Sequence, residues 1–408
     1  MIDSVQDKNL SDSIIKERYY GSRSKDCLVN IFDAALSSFF GRPRLASPNS
    51  LGAPKKLLLA DGAHLGDTII IASILPALRE TFPNMQVGIL TGSWNSVLLK
   101  TNVHFDHVHF LDHWLANRSD RTKLALACGY ARQSRHLVAD LKKIGYEVAI
   151  NMRPWFPNFV PILWRAAIPI RVGFKRAGFT PLLTHYVPFE NSHQPYRSYH
   201  SILLSTLAIN PSKLEHLVTP WISVDDNARG GVRALLKLSG SQRFVILHPC
   251  AGSSLKNWRY DGWVEIAHAL TRRGLTPILT GAGAEQSKAT AEISAAVSGS
   301  INACDRLSWD QLVAAIEQAS LVVCVDTSIA HVGAALGVPC VTLFAGMQDP
   351  ELWRPTGRRS TWVTHQIHCS PCFNKHGCEH MSCVRKIATS QVEQSIDAVL
   401  SRIATEIT

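Results

Sequence analysis

Between Lys56 and Gly92 the chain reads KLLLAD, GAHLGD, TIIIASILPALRETF, then QVGILTG. The outer two segments are short apolar runs bounded by glycine, the sign of strands buried on both faces. The third has helix length. Two strands joined through a helix over so short a stretch must lie parallel, because the crossover returns the chain to the same end of the sheet. That one unit commits the region to an α/β architecture.

The pattern then repeats. HVHFLD (107–112), a helical stretch near Lys123 to Ile144, EVAINM (147–152) and IRVGF (170–174) continue a first series. A second begins at RFVILHP (243–249) and runs through GWVEIAHALTRRG, TPILTG and EQSKATAEISAAVSG. It closes with SWDQLVAAIEQAS, LVVCVD, HVGAALG and PCVTLFAG, where Gly337 ends a helical turn. Two α/β domains are therefore expected, at 54–215 and 241–365, with an interdomain segment at 216–240. Residues 1–53 read as an extension: a helix within Ser24 to Phe40, then a Pro-, Gly- and Ser-rich linker. After a cysteine-rich stretch at 366–386, residues 387–408 carry Val392, Ile396, Val399, Leu400 and Ile403 at helical spacing, which predicts an amphipathic helix.

Composition narrows the class. The chain has 408 residues, 46% of them hydrophobic and 18% charged, enough apolar material for two cores and unlike a disordered chain. No uninterrupted apolar run long enough to span a bilayer occurs, and the first residues lack the basic start and apolar core of a secretory signal. A cytoplasmic location is expected, and the ten cysteines should be mostly reduced there. The formal charge of +10 favours anionic partners such as nucleotides, phosphorylated sugars or acidic lipid. No dense basic block or recognition helix points to nucleic acid.

Open parallel sheets bind ligands beyond the carboxyl ends of their strands, so the loops after Asp61, His248, Gly281 and Asp326 are the candidate positions. DTSIAH (326–331) follows a strand and opens a helix. Its amides and helix dipole suit a phosphate, although Asp and Thr are also ordinary helix caps. HPCAGSSLKNW (248–258) joins a small-residue loop to Lys256, a point charge for phosphate or a merely solvated lysine. GAGAEQ (281–286) resembles a dinucleotide fingerprint but has Gln286 where the third glycine belongs, which weakens a dehydrogenase reading. Glu285 suits a ribose hydroxyl or the helix start. Asp67 closes GAHLGD at a helix N-terminus, where a carboxylate is stabilised as the anion and can take a proton from a hydroxyl nucleophile or simply cap the helix.

Together these segments resemble the glycosyltransferase family that contains the bacterial lipopolysaccharide heptosyltransferases, glycosyltransferase family 9. The motifs are KLLLADGAHLGDTIIIASILPALRETFP, VILHPCAGSSLKNW, LTGAGAEQ and DTSIAHVGAALGVPCVTLFAG, in order over about residues 55 to 390. The resemblance implies a GT-B fold, two Rossmann-like domains facing a central cleft, with the first on the acceptor side and the second binding a nucleotide sugar. It implies inversion at the anomeric carbon without a catalytic metal, and no Asp-x-Asp motif occurs. Carried over, Asp67 matches the proposed general base and Lys256 a lysine at the donor phosphates. Glu285 matches an acid near the donor ribose, Asp326 a donor-sugar contact, and Thr327 and Ser328 amides at the diphosphate. His331 matches the motif histidine, at a phosphate or positioning the helix. His64 and Gly66 belong to the acceptor-side loop. His64 stands where some members have Ser or Thr, Cys250 and Ser328 replace common glycines, and these departures bear on the choice of sugar.

The expected donor is ADP-heptose and the expected acceptor a lipopolysaccharide core or related cell-envelope glycolipid. The positive charge suits peripheral contact with the inner face of the cytoplasmic membrane. Transfer to protein, another nucleotide sugar, and a non-catalytic nucleotide-binding protein are the alternatives. Cys369, Cys372, Cys378 and Cys383 are spaced Cys-x2-Cys-x5-Cys-x4-Cys. Four thiolates of this kind can close a tetrahedral zinc or iron site of structural type, and His368, His376 or His380 could replace one of them; free thiols are the plainer reading.

Overall fold

The structure is a computed structural model, and it describes residues 23–117, 119–175, 177–189, 194–374 and 376–407. The chain divides into two compact units, one of residues 1–99 and 104–216, the other of residues 100–103 and 217–408.

The first unit carries seven strands: β1 (Arg44–Leu45), β2 (Lys56–Ala60), β3 (Gln86–Thr91), β4 (His107–Phe110), β5 (Val148–Asn151), β6 (Ile170–Phe174) and β7 (His185–Val187). Their order across the sheet is β1-β7-β6-β5-β2-β3-β4, and every pairing is parallel. β2 is central, and Leu57, Leu58 and Leu59 have no exposed surface. Each such side chain contributes about 1.5–3 kcal/mol of hydrophobic stabilisation. The helix after β2 is two helices, Leu65–Ala72 and Leu75–Thr81. Pro76 explains the break: it has no N–H to give Ala72 and instead sits in the first turn of a new helix. The first helix also starts three residues earlier than the apolar pattern implies, so Gly66 and Asp67 lie in its opening turn rather than in a loop.

The second unit carries β8 (Phe244–His248), β9 (Thr276–Leu279), β10 (Ile301–Asn302), β11 (Leu321–Val325), β12 (Cys340–Phe344) and β13 (Ser360–Thr364). Their order is β10-β9-β8-β11-β12-β13, again all parallel. Trp258 and Trp263 pack edge to face at 5.5 Å in its core, and the Trp258 indole N–H donates to the Ile387 carbonyl. Val392, Ile396 and Val399 of the C-terminal helix Thr389–Ile407 are buried in the same cluster. Residues 100–103 join this unit through Asn102, which receives the Trp309 indole N–H at 2.7 Å and donates to the Ser223 carbonyl at 2.9 Å.

Four strands carry too little apolar pattern to be legible in the sequence: β1, β7, β10 and β13. Three of them have two or three residues, and β1, β10 and β13 are sheet edges. An edge is solvated along one side and needs no continuous apolar run. β1 lies within the stretch whose composition reads as linker. Among the described residues, no helix is long and apolar enough to cross a membrane.

Candidate active site

In the first unit the chain leaves β2 toward β3 and β4, then returns to the other side of β2 for β5, β6 and β7. The crevice lies where that direction reverses, outside the carboxyl ends of β2 and β5. Asp61 follows β2 there, and Arg153 follows β5. The Ala63 N–H donates to Asp61 Oδ1 at 2.9 Å, Arg153 Nη1 stands 3.7 Å from the same oxygen, and the Tyr196 hydroxyl donates to Oδ2 at 3.5 Å. Trp155 stacks on Tyr196 at 5.7 Å, and the Arg153 guanidinium lies over Trp155. Trp94 gives its indole N–H to the Ala63 carbonyl at 2.7 Å and places its ring 5.5 Å from His64.

His64 is the N-cap of the helix Leu65–Ala72, and its backbone N–H donates to Asp67 Oδ2 at 3.2 Å. Asp67 thus does cap the helix, as its position alone would suggest. It is also only half-buried, so part of the carboxylate faces solvent. A helix cap and a solvent-facing carboxylate thus coexist at this residue.

Asp61 is buried, and burial pushes its carboxyl up to about 7, against the pull of Arg153 and with the push of the nearby Asp67 charge. In the unfolded chain the same group titrates near 3.9. Between those values the folded protein holds the extra proton, so this residue's contribution turns against folding as pH rises from about 4 to about 7 and stays unfavourable above. Asp61→Asn mimics the neutral acid. It is expected to raise the melting temperature at pH 8 and to change it little at pH 4; equal shifts in melts at the two pH values would contradict this.

The second unit reverses direction at β8, between β9 and β11. Lys256 lies in the turn Ser254–Lys256 after β8, and Asp326 directly follows β11. Lys256 Nζ is 2.5 Å from Asp326 Oδ2, with side-chain exposures of 21% and 11%. The loop is folded back by the Ala251 N–H donating to Asn257 Oδ1. Thr327 caps the helix Ser328–Leu336, its hydroxyl accepting from the Ile329 N–H at 3.0 Å. His331 is buried in the first turns of that helix, and among the described residues its Nδ1 has no hydrogen-bond partner. Burial lowers its pKa to about 4, with Asp326 opposing and Lys256 reinforcing the shift. The ring is therefore neutral at pH 7, and the positive charge here belongs to Lys256.

Glu285 is exposed in the first turn of the helix Ala284–Ala296. Gly283 precedes it at φ +88°, in the left-handed region that a side chain rarely tolerates. The Gly283 N–H donates to Asp305 Oδ1 at 2.8 Å, and the Ala282 N–H to Gln286 Oε1. The Cys250 thiol is pushed up to about 11 by burial, then by the charges of Cys304 and Glu285.

Lys256, Asp326, Thr327, Ser328 and His331 therefore form one cluster, with Glu285 on the neighbouring strand-to-helix turn. His64, Gly66 and Asp67 form another, in the first unit. Arg153, Trp155, Trp94, Tyr196 and Asp305 escaped the sequence reading. For Arg153 a signal existed: it is a charge just past the end of an apolar strand. Trp94, Tyr196 and Asp305 reach their sites only through tertiary packing.

The cysteine stretch is attached beside β12 by the Cys372 N–H donating to the Gly346 carbonyl and the Phe373 N–H to that of Met347. Cys383 is buried, while Cys369, Cys372 and Cys378 are exposed. Burial raises the Cys383 thiol, and the charges of Cys372, Cys378 and Cys369 add to the effect. Four sulfurs are a soft donor set whose number suits zinc or iron. They do not converge: among the described residues no three His, Cys, Asp or Glu side chains are grouped to hold an ion.

Two doubly wound parallel sheets, each with a charged cluster at its switch point, are the construction of a GT-B glycosyltransferase. The crystal structure of a family 9 glycosyltransferase from Veillonella parvula superposes with a TM-score of 0.70 at 17% identity, covering 87% of this chain and 99% of that one. The ADP-heptose lipopolysaccharide heptosyltransferase II of E. coli gives 0.65 at 19% identity over 86% and 99%. Lipopolysaccharide heptosyltransferase 3 of Escherichia coli K12 is 23% identical over 300 residues, 71% of this chain and 82% of that protein. The profile of glycosyltransferase family 9 (heptosyltransferase) matches residues 134–381. The chain belongs to glycosyltransferase family 9 and is a glycosyltransferase.

Proposed function

We propose that this enzyme transfers a heptose from ADP-heptose to a lipopolysaccharide core or related envelope glycolipid, with inversion, at the cytoplasmic face of the membrane. The observation that carries the donor half is the Lys256–Asp326 pair at the β8/β11 switch point, beside the N-terminus of the helix Ser328–Leu336. A cation and a helix N-terminus together favour a diphosphate. The heptose and the lipopolysaccharide acceptor are supported by the named heptosyltransferase relatives, and the choice of ADP by the E. coli enzyme named for ADP-heptose.

The reaction is a single displacement. The acceptor oxygen bonds to the anomeric carbon, its proton passes to Asp67, and the bond from that carbon to the diphosphate oxygen breaks. ADP leaves with the electron pair, its charge held by Lys256 and the amides at Thr327 and Ser328. Glu285 takes the ribose hydroxyls. In the first unit Trp94 and His64 border the acceptor-side loop, and Arg153 offers a charge to the acceptor's anionic groups. The test is donor turnover: purified protein with ADP-heptose and a deep-rough lipopolysaccharide, following ADP release and product mass. Acceptor-dependent ADP release supports the reading, whereas turnover only with another nucleotide sugar overturns the heptose assignment.

We also propose that Cys369, Cys372, Cys378 and Cys383 hold a structural zinc or iron. Its role there is to tie the segment together, not to act on substrate. Metal analysis of protein purified without chelator is expected to give one zinc or iron per chain. Cys372→Ser should lose the metal and lower the melting temperature. Metal-free protein with an unchanged melt would identify the cysteines as free thiols.

A further inference from the structure

Among the described residues, the helix Arg23–Phe40 packs on the first unit at the turn Thr180–Leu182. Val29 lies against Gly178, Phe32 packs edge to face on Phe179 at 5.2 Å, and the Thr180 N–H donates to Asp33 Oδ2 at 3.2 Å. At 100° per residue, Leu28, Ile31, Ala35 and Phe39 follow one another along a different stripe, bordered by Phe32. That stripe is apolar and faces solvent: Leu28 is 66% exposed, Ile31 61% and Phe39 83%. Phe40, on the attached side, meets the exposed Trp164 at 5.3 Å, and Leu45 on β1 is exposed as well. Scattered apolar residues on a surface are ordinary; a contiguous stripe of this kind marks an interaction face.

Its border is basic. Arg42 and Arg44 are exposed between Phe40 and Leu45, and Arg165 is exposed next to Trp164. Lys175 lies over the ring of Tyr186, the register partner of Leu45. From Arg23 to Leu45 the acidic residues are Asp26 and Asp33, against Arg23, Lys25, Arg42 and Arg44, and Asp33 is turned inward to Thr180. An apolar helix face of Leu, Ile and Phe flanked by arginine is the chemistry of a helix lying in the interface of an anionic bilayer. A second copy of the chain is the competing occupant, which the dimer measurement below tests.

We propose that the helix Arg23–Phe40, with Leu45 and Trp164, is a docking surface for an anionic lipid bilayer. It holds the first unit at the membrane surface without a spanning segment, and it does so whatever sugar the enzyme transfers. The test is sedimentation of the full chain with vesicles of phosphatidylcholine alone or of three parts phosphatidylcholine to one part phosphatidylglycerol. The wild type should partition into the anionic vesicles and only weakly into the neutral ones. Leu28→Ser with Phe39→Ser, and separately Arg42→Glu with Arg44→Glu, should each lower that partition ~10-fold. These side chains are exposed, so unchanged melts are expected and will show that folding is intact. Failure of the wild type to bind anionic vesicles, or serine variants that bind as the wild type does, would overturn the proposal. A concentration-dependent dimer in light scattering that the serine variants abolish would likewise overturn it, by assigning the face to self-association. No substrate enters the assay, so its outcome is independent of the heptosyl reading.

Discussion

Asp67→Asn is expected to lower kcat by roughly 10²–10⁴-fold, the usual worth of a positioned general base, while leaving ADP affinity unchanged. The asparagine keeps an oxygen that can accept the His64 N–H, so the helix cap survives and the melt should move little. That separation matters because the structure shows Asp67 as a helix cap and the proposed mechanism makes it the base as well. Were it only a cap, Asp67→Asn would retain nearly full turnover and Asp67→Ala would act through stability alone. Turnover, ADP titration and a melt on both variants decide between the two. Retained kcat in a stable Asp67→Asn protein would remove the residue from the mechanism.

Lys256→Ala should have a comparable effect through a different route. The lysine neutralises Asp326 and, on the proposed reading, the departing diphosphate. Its loss removes a charge that grows in importance as the bond to the leaving group breaks, so kcat should fall ~10²–10³-fold. ADP affinity should fall too, unlike in the Asp67 variant. It also leaves the Asp326 carboxylate, 11% exposed, without its partner, so the melting temperature should drop. The double variant Lys256→Ala with Asp326→Asn should recover much of that stability and none of the turnover. Recovery of both would mean that the pair is a structural ion bridge. His331 does not substitute for the lysine, since its buried ring is neutral at pH 7.

The central strands were legible because burial on both faces demands unbroken apolar runs, as in Leu57 to Leu59 and Leu321 to Val325. The edge strands β1, β10 and β13 were not, and β1 sits in a segment whose Pro, Gly and Ser content reads as linker. Asp67, Lys256 and Asp326 were legible as candidates, because residues just past a strand or opening a helix occupy a position that any parallel sheet offers to ligands. What they do to one another was not: Lys256 and Asp326 are 70 residues apart in sequence and in direct contact in the fold. The cysteine spacing was equally plain, but spacing does not say whether four thiols converge, and three of them face solvent.

The sequence by itself determined the α/β class, the two-fold repetition of the doubly wound pattern and the family, because periodicity and short motifs are local properties of the chain. Tertiary structure alone decided the strand order, and with it the two switch points that bring Asp61 to Arg153 and Lys256 to Asp326. It alone decided protonation, since the raised carboxyl of Asp61 and the neutral ring of His331 follow from burial by residues distant in sequence. It also decided which face of the helix Arg23–Phe40 is left to solvent: the same apolar side chains would serve a core if an element covered them, and only packing shows that Leu28, Ile31 and Phe39 are exposed.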